Sequence, residues 1–168
     1  NLFNLGDYHA LVDYAHNPAG YEALGAFVRN WTTGNRIGVI GGPGDRRDDN
    51  FIALGKLSAQ IFDRVVIKED DDNRGRPRGT ASELIVQGIC KVNPDCSYEV
   101  ILDETQAINR ALDAAPKGSL VVILPESVNR AIELIKVRGI VKEEILQHDK
   151  SILNVDSQVG HSYVAKIL

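Results

Sequence analysis

Asp13, His16 and Asn17 fall within one short turn, Asp13-Tyr14-Ala15-His16-Asn17-Pro18, directly behind the apolar run from Tyr8 to Val12. A carboxylate, an imidazole and an amide so close together are more polar chemistry than a connection needs. Proline at a helix start makes the turn a strand-to-helix switch, and ligands bind in crevices outside the carboxyl ends of parallel strands. Asn17 on its own suits a plain helix cap equally well. Asp13 and His16 together favour function.

Two further stretches carry charge in patterns that suit small ligands. Gly41-Gly42-Pro43-Gly44-Asp45-Arg46-Arg47-Asp48-Asp49 joins glycines to a pair of arginines. Glycines let backbone N–H groups come close to an anion, and guanidinium groups match phosphate oxygens. No Gly-Lys-Ser/Thr follows, and no Gly-x-Gly-x-x-Gly is present, so neither nucleotide fingerprint is met. An ordinary strand–helix turn accounts for the glycines nearly as well. The third stretch, Glu69-Asp70-Asp71-Asp72-Asn73-Arg74-Gly75-Arg76-Pro77-Arg78-Gly79, sets acids before arginines. It reads either as a solvated charge run or as a recognition loop for a zwitterion, arginines meeting a carboxylate and acids meeting a cation.

The elements that must position these stretches alternate strand and helix almost without interruption. Strands are expected at Tyr8–Tyr14, Arg36–Ile40, Val65–Lys68, Ser97–Leu102 and Leu120–Leu124. The last is apolar throughout, as a strand covered on both faces should be. Helices are expected at about Pro18–Trp31, Asn50–Phe62, Thr80–Val92, Glu104–Ala115 and Val128–Arg138, each with apolar residues at the helical period. Thr80 and Glu83 read as a capping box, and Gly139 as a terminator. Repeated strand–helix units of this length predict an α/β, Rossmann-like, doubly wound and mostly parallel sheet of five or six strands flanked by helices. One domain spanning residues 1–139 is expected. The extension 140–168 alternates charge with short apolar runs, and an edge strand, a terminal helix and a mobile tail all fit it.

Composition narrows the function classes. The chain has 168 residues, 43% of them hydrophobic and 25% charged, and a net charge of −4. That length supports a proper core, and the charge argues against nucleic acid as a partner. No apolar run approaches the roughly 18 residues of a membrane span. Two cysteines, Cys90 and Cys96, read as reduced thiols of a cytoplasmic protein, without metal-site spacing. The opening Asn-Leu-Phe-Asn has no initiator methionine and no signal pattern, and the chain contains no methionine. The expectation is a piece of a longer polypeptide.

Several of these pieces together, in order, resemble the C-terminal domain of the Mur ligase family. They are Val12 to Pro18, Gly44-Asp45-Arg46-Arg47-Asp48, Phe62-Asp63-Arg64, Lys68-Glu69-Asp70, Arg74-Gly75-Arg76 and Pro125-Glu126-Ser127. The family includes muramyl-tripeptide ligases and folylpolyglutamate synthase, and the resemblance covers about Asp13 to Gly139. The likeness is greatest to members that join arginine to the side-chain carboxylate of aspartate in a polymer.

The resemblance implies an ATP-dependent amide ligase, in which the acceptor carboxylate becomes an acyl phosphate that the incoming amine attacks. It implies that this chain is the lid. ATP and Mg2+ would be held mainly by a central P-loop domain of the same polypeptide, and the lid alone would be inactive. Asp13, His16, Asn17, Gly44 and Asp45 would face the nucleotide, with His16, Arg46 and Arg47 at the reacting phosphate. Asn73 with Arg74 or Arg76 would hold the amino acid's carboxylate. Glu69, Asp70, Asp71 and Asp72, with Glu126 at the end of the last strand, are the candidates for an arginine substrate's guanidinium. The parent enzyme is a candidate homo-oligomer. Two other readings remain: a muramyl- or folylpolyglutamate-type lid with a different amine donor, and a non-catalytic nucleotide-binding regulatory domain.

Overall fold

The computed structural model describes residues 1–31 and 33–138, together with the backbone of residues 142–144. Its seven-stranded sheet contains β1 (Leu2–Asn4), β2 (His9–Val12), β3 (Arg36–Ile40), β4 (Arg64–Ile67), β5 (Ser97–Val100), β6 (Leu120–Ile123) and β7 (Lys142–Glu144). The spatial order is β5-β4-β3-β6-β2-β1-β7. The run from β5 to β2 is parallel, while β1 is antiparallel to both β2 and β7. The helices are α1 (Pro18–Arg29), α2 (Asp48–Ile61), α3 (Thr80–Val92), α4 (Glu104–Asp113) and α5 (Val128–Val137).

The alternating side chains of the central strands feed two cores. Leu120 and Val122 pack with Tyr21 of α1, Phe51 of α2 and Ile85 of α3 on one face. Val121 and Ile123 pack with Ile108 of α4 and Ile135 of α5 on the other. An unbroken apolar strand is the result of burial on both sides, each large buried side chain contributing about 1.5–3 kcal/mol. The edge strand β5, by contrast, is largely exposed, and Tyr98 and Val100 stand partly in solvent.

On the first face α2 and α3 cross at two glycines. A Cβ on Gly55 would run into the Ile85 carbonyl, and one on Gly88 into the Ile52 carbonyl. Only glycine permits this backbone-to-backbone approach.

The sheet has seven strands where five or six were expected. Leu2–Asn4 is too short to announce itself, and it is held by pairing rather than by periodicity. Residues 142–144 of the extension form an edge strand on β1. Gly139 and residues 145–168 lie outside the described residues. Helix and strand ends otherwise move by at most two residues, as fraying ends do.

The capping box is a correction. Thr80 is the first helical residue, and the cap is Gly79 at φ +93° with no side-chain bond of its own. The Glu69 carboxylate caps α3 instead, accepting the N–H groups of Gly79 (2.9 Å) and Ser82 (3.1 Å). An ionised acid at a helix N-terminus meets both orphan donors and the helix dipole.

Candidate functional site

β2 and β6 are neighbours, yet α1 leaves β2 for one face and α5 leaves β6 for the other. A crevice opens where such strands end. The turn 13–17, the loops 41–47 and 68–79, and Pro125-Glu126-Ser127 all follow the carboxyl ends of parallel strands around it.

These loops touch in succession. A Cβ on Gly42 would stand 4.0 Å from the His16 carbonyl oxygen, and one on Gly44 would collide with the Asn73 backbone. The Asp71 N–H donates to Glu126 Oε2 at 2.8 Å. The three loop tips therefore share one rim.

At the turn, Asp13 Oδ1 accepts the Ala15 N–H at 2.8 Å, and Asn17 Oδ1 accepts the Gly20 N–H at 2.9 Å. Asn17 thus does cap α1, leaving its amide nitrogen for other work. His16 is half-buried. Its Nδ1–H donates to the Tyr14 carbonyl at 3.0 Å, which makes Nε2 the basic nitrogen of the neutral ring. The exposed Tyr14 ring lies 5.1 Å from the imidazole.

In loop 41–47, Arg46 is half-buried, and its Nε is buried without a hydrogen-bond partner. A charged donor left in this state is costly unless a ligand supplies the acceptor. Arg47 stands at the N-cap position of α2 without a side-chain cap bond and pairs at 2.6 Å with Asp49, both largely exposed, so the pair is weak and easily opened. Gly44 is buried against loop 68–79. Asp45 pairs with Arg74 at 2.9 Å, and that guanidinium holds the Asp45 carboxyl below its ordinary range.

In loop 68–79 most of the charge is already engaged. Arg76 bridges the loops: Nε donates to the Gly44 carbonyl (2.8 Å), one terminal nitrogen to the Arg46 carbonyl (2.6 Å), and the other to Asp48 (2.8 Å). Its guanidinium also stacks 5.0 Å from the Phe51 ring centre. These contacts make Arg76 a clamp between loops, which leaves Arg74 the more accessible of the two arginines. Arg74 adopts φ +49°, a left-handed backbone stabilised where Asp72 Oδ1 accepts its N–H.

Among the acids expected to meet a guanidinium, Glu69 is buried and caps α3 while also accepting from the Asn73 amide at 3.1 Å. Burial pushes its carboxyl up, but the Gly79 and Ser82 N–H groups and Asn73 outweigh this and hold it below the usual range. Asp70 is buried against Lys68 Nζ at 2.7 Å, and Asp71 pairs with Arg130 at 2.8 Å. Asp72 is exposed and Glu126 half-buried, and neither forms an ion pair among the described residues. Each carries one hydrogen bond from a backbone N–H, on one oxygen. The geometry takes Glu69, Asp70 and, through its pair with Arg130, Asp71 out of the set able to receive a cation and keeps Asp72 and Glu126.

Lys68, Glu104 and Arg130 went unnoticed as site residues in the sequence. The only signal for Lys68 is a charged residue ending an apolar strand, where the next shell is acidic. Among the described residues no group of three or more His, Cys, Asp or Glu side chains could hold a metal ion, and no helix is long and apolar enough to cross a membrane.

A profile of the family described as "Mur ligase, glutamate ligase domain" matches residues 4–127. The chain belongs to the Mur ligase family, as its C-terminal domain. It is 71% identical over 160 residues to cyanophycin synthetase of Nostoc sp. strain PCC 7120, covering 95% of this chain and 18% of the relative. The chain thus spans about a fifth of the length of that curated relative. Among solved structures it superposes on a UDP-N-acetylmuramoyl-L-alanyl-D-glutamate–2,6-diaminopimelate ligase with TM-score 0.64 at 18% identity, over 82% of this chain and 31% of the other. E. coli FolC in complex with ADP superposes with TM-score 0.56 at 19% identity, over 77% of this chain and 28% of the other. These two likenesses are of fold.

Proposed function

We propose that the chain is the lid of an ATP-dependent amide ligase of the cyanophycin synthetase type, which adds arginine to the side-chain carboxylate of aspartate in a polymer. The observation that carries this is the 71% identity over 95% of the chain. The shared rim of the Asp13 turn and the two arginine-bearing loops supports it. A P-loop domain elsewhere in the same polypeptide supplies most of the grip on ATP and Mg2+, and this chain closes over them.

Arg46 fits an anionic co-substrate, because its buried Nε has no acceptor among the described residues. Asp13, Asn17, Gly44 and Asp45 line the nucleotide side, and His16, Arg46 and Arg47 meet the reacting phosphate. Bound ATP supplies the phosphoryl group that activates the acceptor carboxylate. The chain's own work is to cancel negative charge with fixed arginines, keep water away, and hold the amine in line. Arg74 and Asn73 take the α-carboxylate of the amino acid, while Asp72 and Glu126 face its guanidinium, a cation that paired carboxylates suit.

The test is the full-length ligase carrying Asp72→Asn with Glu126→Gln. The apparent KM for arginine rises about 100-fold, the worth of two lost charged contacts, while the KM for ATP stays put. Equal rises in both would dismiss the assignment. The isolated chain binds ATP poorly and releases no phosphate; tight binding by the isolated chain would favour a regulatory nucleotide sensor.

A further inference from the structure

Beneath the rim lies a group of charges that the function above does not use. Lys68 is 1% exposed, and its Nζ stands 2.7 Å from Asp70 Oδ1 and 2.7 Å from Glu104 Oε2. Glu104 is fully buried at the start of α4. It accepts the Glu126 N–H at 2.6 Å and lies 3.7 Å from Arg130, which in turn holds Asp71 at 2.8 Å. Asp71 closes the circuit by donating its N–H to Glu126.

Two facts make this more than a core ion pair. The members join several carboxyl-end segments: Lys68, Asp70 and Asp71 after β4, Glu104 after β5, Glu126 after β6, and Arg130 on α5. Replacing a buried ion pair with apolar groups often costs nothing, so stability alone does not explain a lysine at this depth. What a charged circuit does provide is a fixed geometry, because each partner has one low-energy placement.

We infer that Lys68, Glu104 and Arg130 are positioning residues that set the spacing of Asp72 and Glu126, and so tune recognition of the incoming amino acid's cationic end. This rests on the amino-acid site proposed above. Lys68 fixes the start of the acidic loop from below, and Glu104 fixes the Glu126 backbone. Arg130 ties the two together through Asp71. None of the three touches the substrate. They act through the acids that do.

The experiment uses the full-length ligase with Lys68→Met, Asp70→Asn and Glu104→Gln combined, which removes all three charges at nearly constant volume. Kinetics are measured with whichever amino acid the wild type turns over. The KM for that amino acid rises about tenfold, the scale of one weakened charged contact, while kcat and the KM for ATP change less than about twofold. Amide hydrogen exchange at Asp71 and Glu126 quickens in the same variant. An unchanged amino-acid KM overturns the inference, and so does an equal rise in both KM values, which reports a loosened lid. A wild type that turns over no amino acid ends the functional reading instead, and the exchange rates then decide the circuit by themselves: unaltered rates refute it. Should the triple variant fail to fold, Glu104→Gln alone, which leaves Lys68 on Asp70, is read by the same criteria.

Discussion

Around Asp13–Asn17 and Arg46 the polar side chains are lightly held, by single hydrogen bonds to nearby backbone or, for Arg46 Nε, by none. Further along the same rim, Glu69, Asp70, Asp71 and Arg76 are each fixed by partners within the chain. The acidic stretch carries more charged residues in sequence, yet most of its charge is scaffold. Charge density along a chain says little about charge available to a ligand; burial and counter-ions decide that.

The comparison breaks most sharply at His16. In the full-length enzyme His16→Ala lowers kcat about 100-fold, the order of one lost charge-stabilising or proton-transfer group, with the melting temperature unmoved. Wild-type turnover would remove the contrast between the two regions. Next comes Arg76→Ala, which costs about 2 kcal/mol through three charged hydrogen bonds, two to loop 41–47 and one to Asp48 of α2, read by urea unfolding. Arg74→Ala, at the exposed partner of Asp45, leaves the urea midpoint unchanged; similar losses from both would mean that Arg76 is no special clamp.

The smallest effect is at Glu69 and depends on pH. Its folded-state carboxyl titrates below the ordinary glutamate value of 4.5. The stabilisation is therefore fully present above that value and is lost as pH falls through the lower folded one. Glu69→Gln lowers stability near neutrality by about 1 kcal/mol, the worth of a helix cap, and the gap to wild type narrows on acidification. A gap that is constant from pH 7 to about 3 would show that the carboxylate's charge contributes nothing.

The alternating architecture was legible because buried strands such as Leu120–Ile123 and amphipathic helices such as α4 print their period into the sequence. The short β1 did not, since three residues hold no period and pairing alone places them. Thr80 and Glu83 have the spacing of a capping box, but the winning cap arrives from Glu69, ten residues before Gly79, a contact made by the fold. The Asp13 turn was readable as a polar cluster because its groups are local. Lys68 with Glu104 was not, because the two are distant in sequence and meet only under the sheet's rim.

The glycine crossing of α2 and α3 has an effect on anyone who would re-engineer this domain. Gly55 and Gly88 bring the two helices into backbone contact, and each helix begins at the end of one of the arginine-bearing loops. The pair is one chassis with two tools mounted on it. Transplanting either loop from a relative with a different amine donor would leave it on foreign bearings, so a swap of specificity has to exchange residues 41–92 as a block.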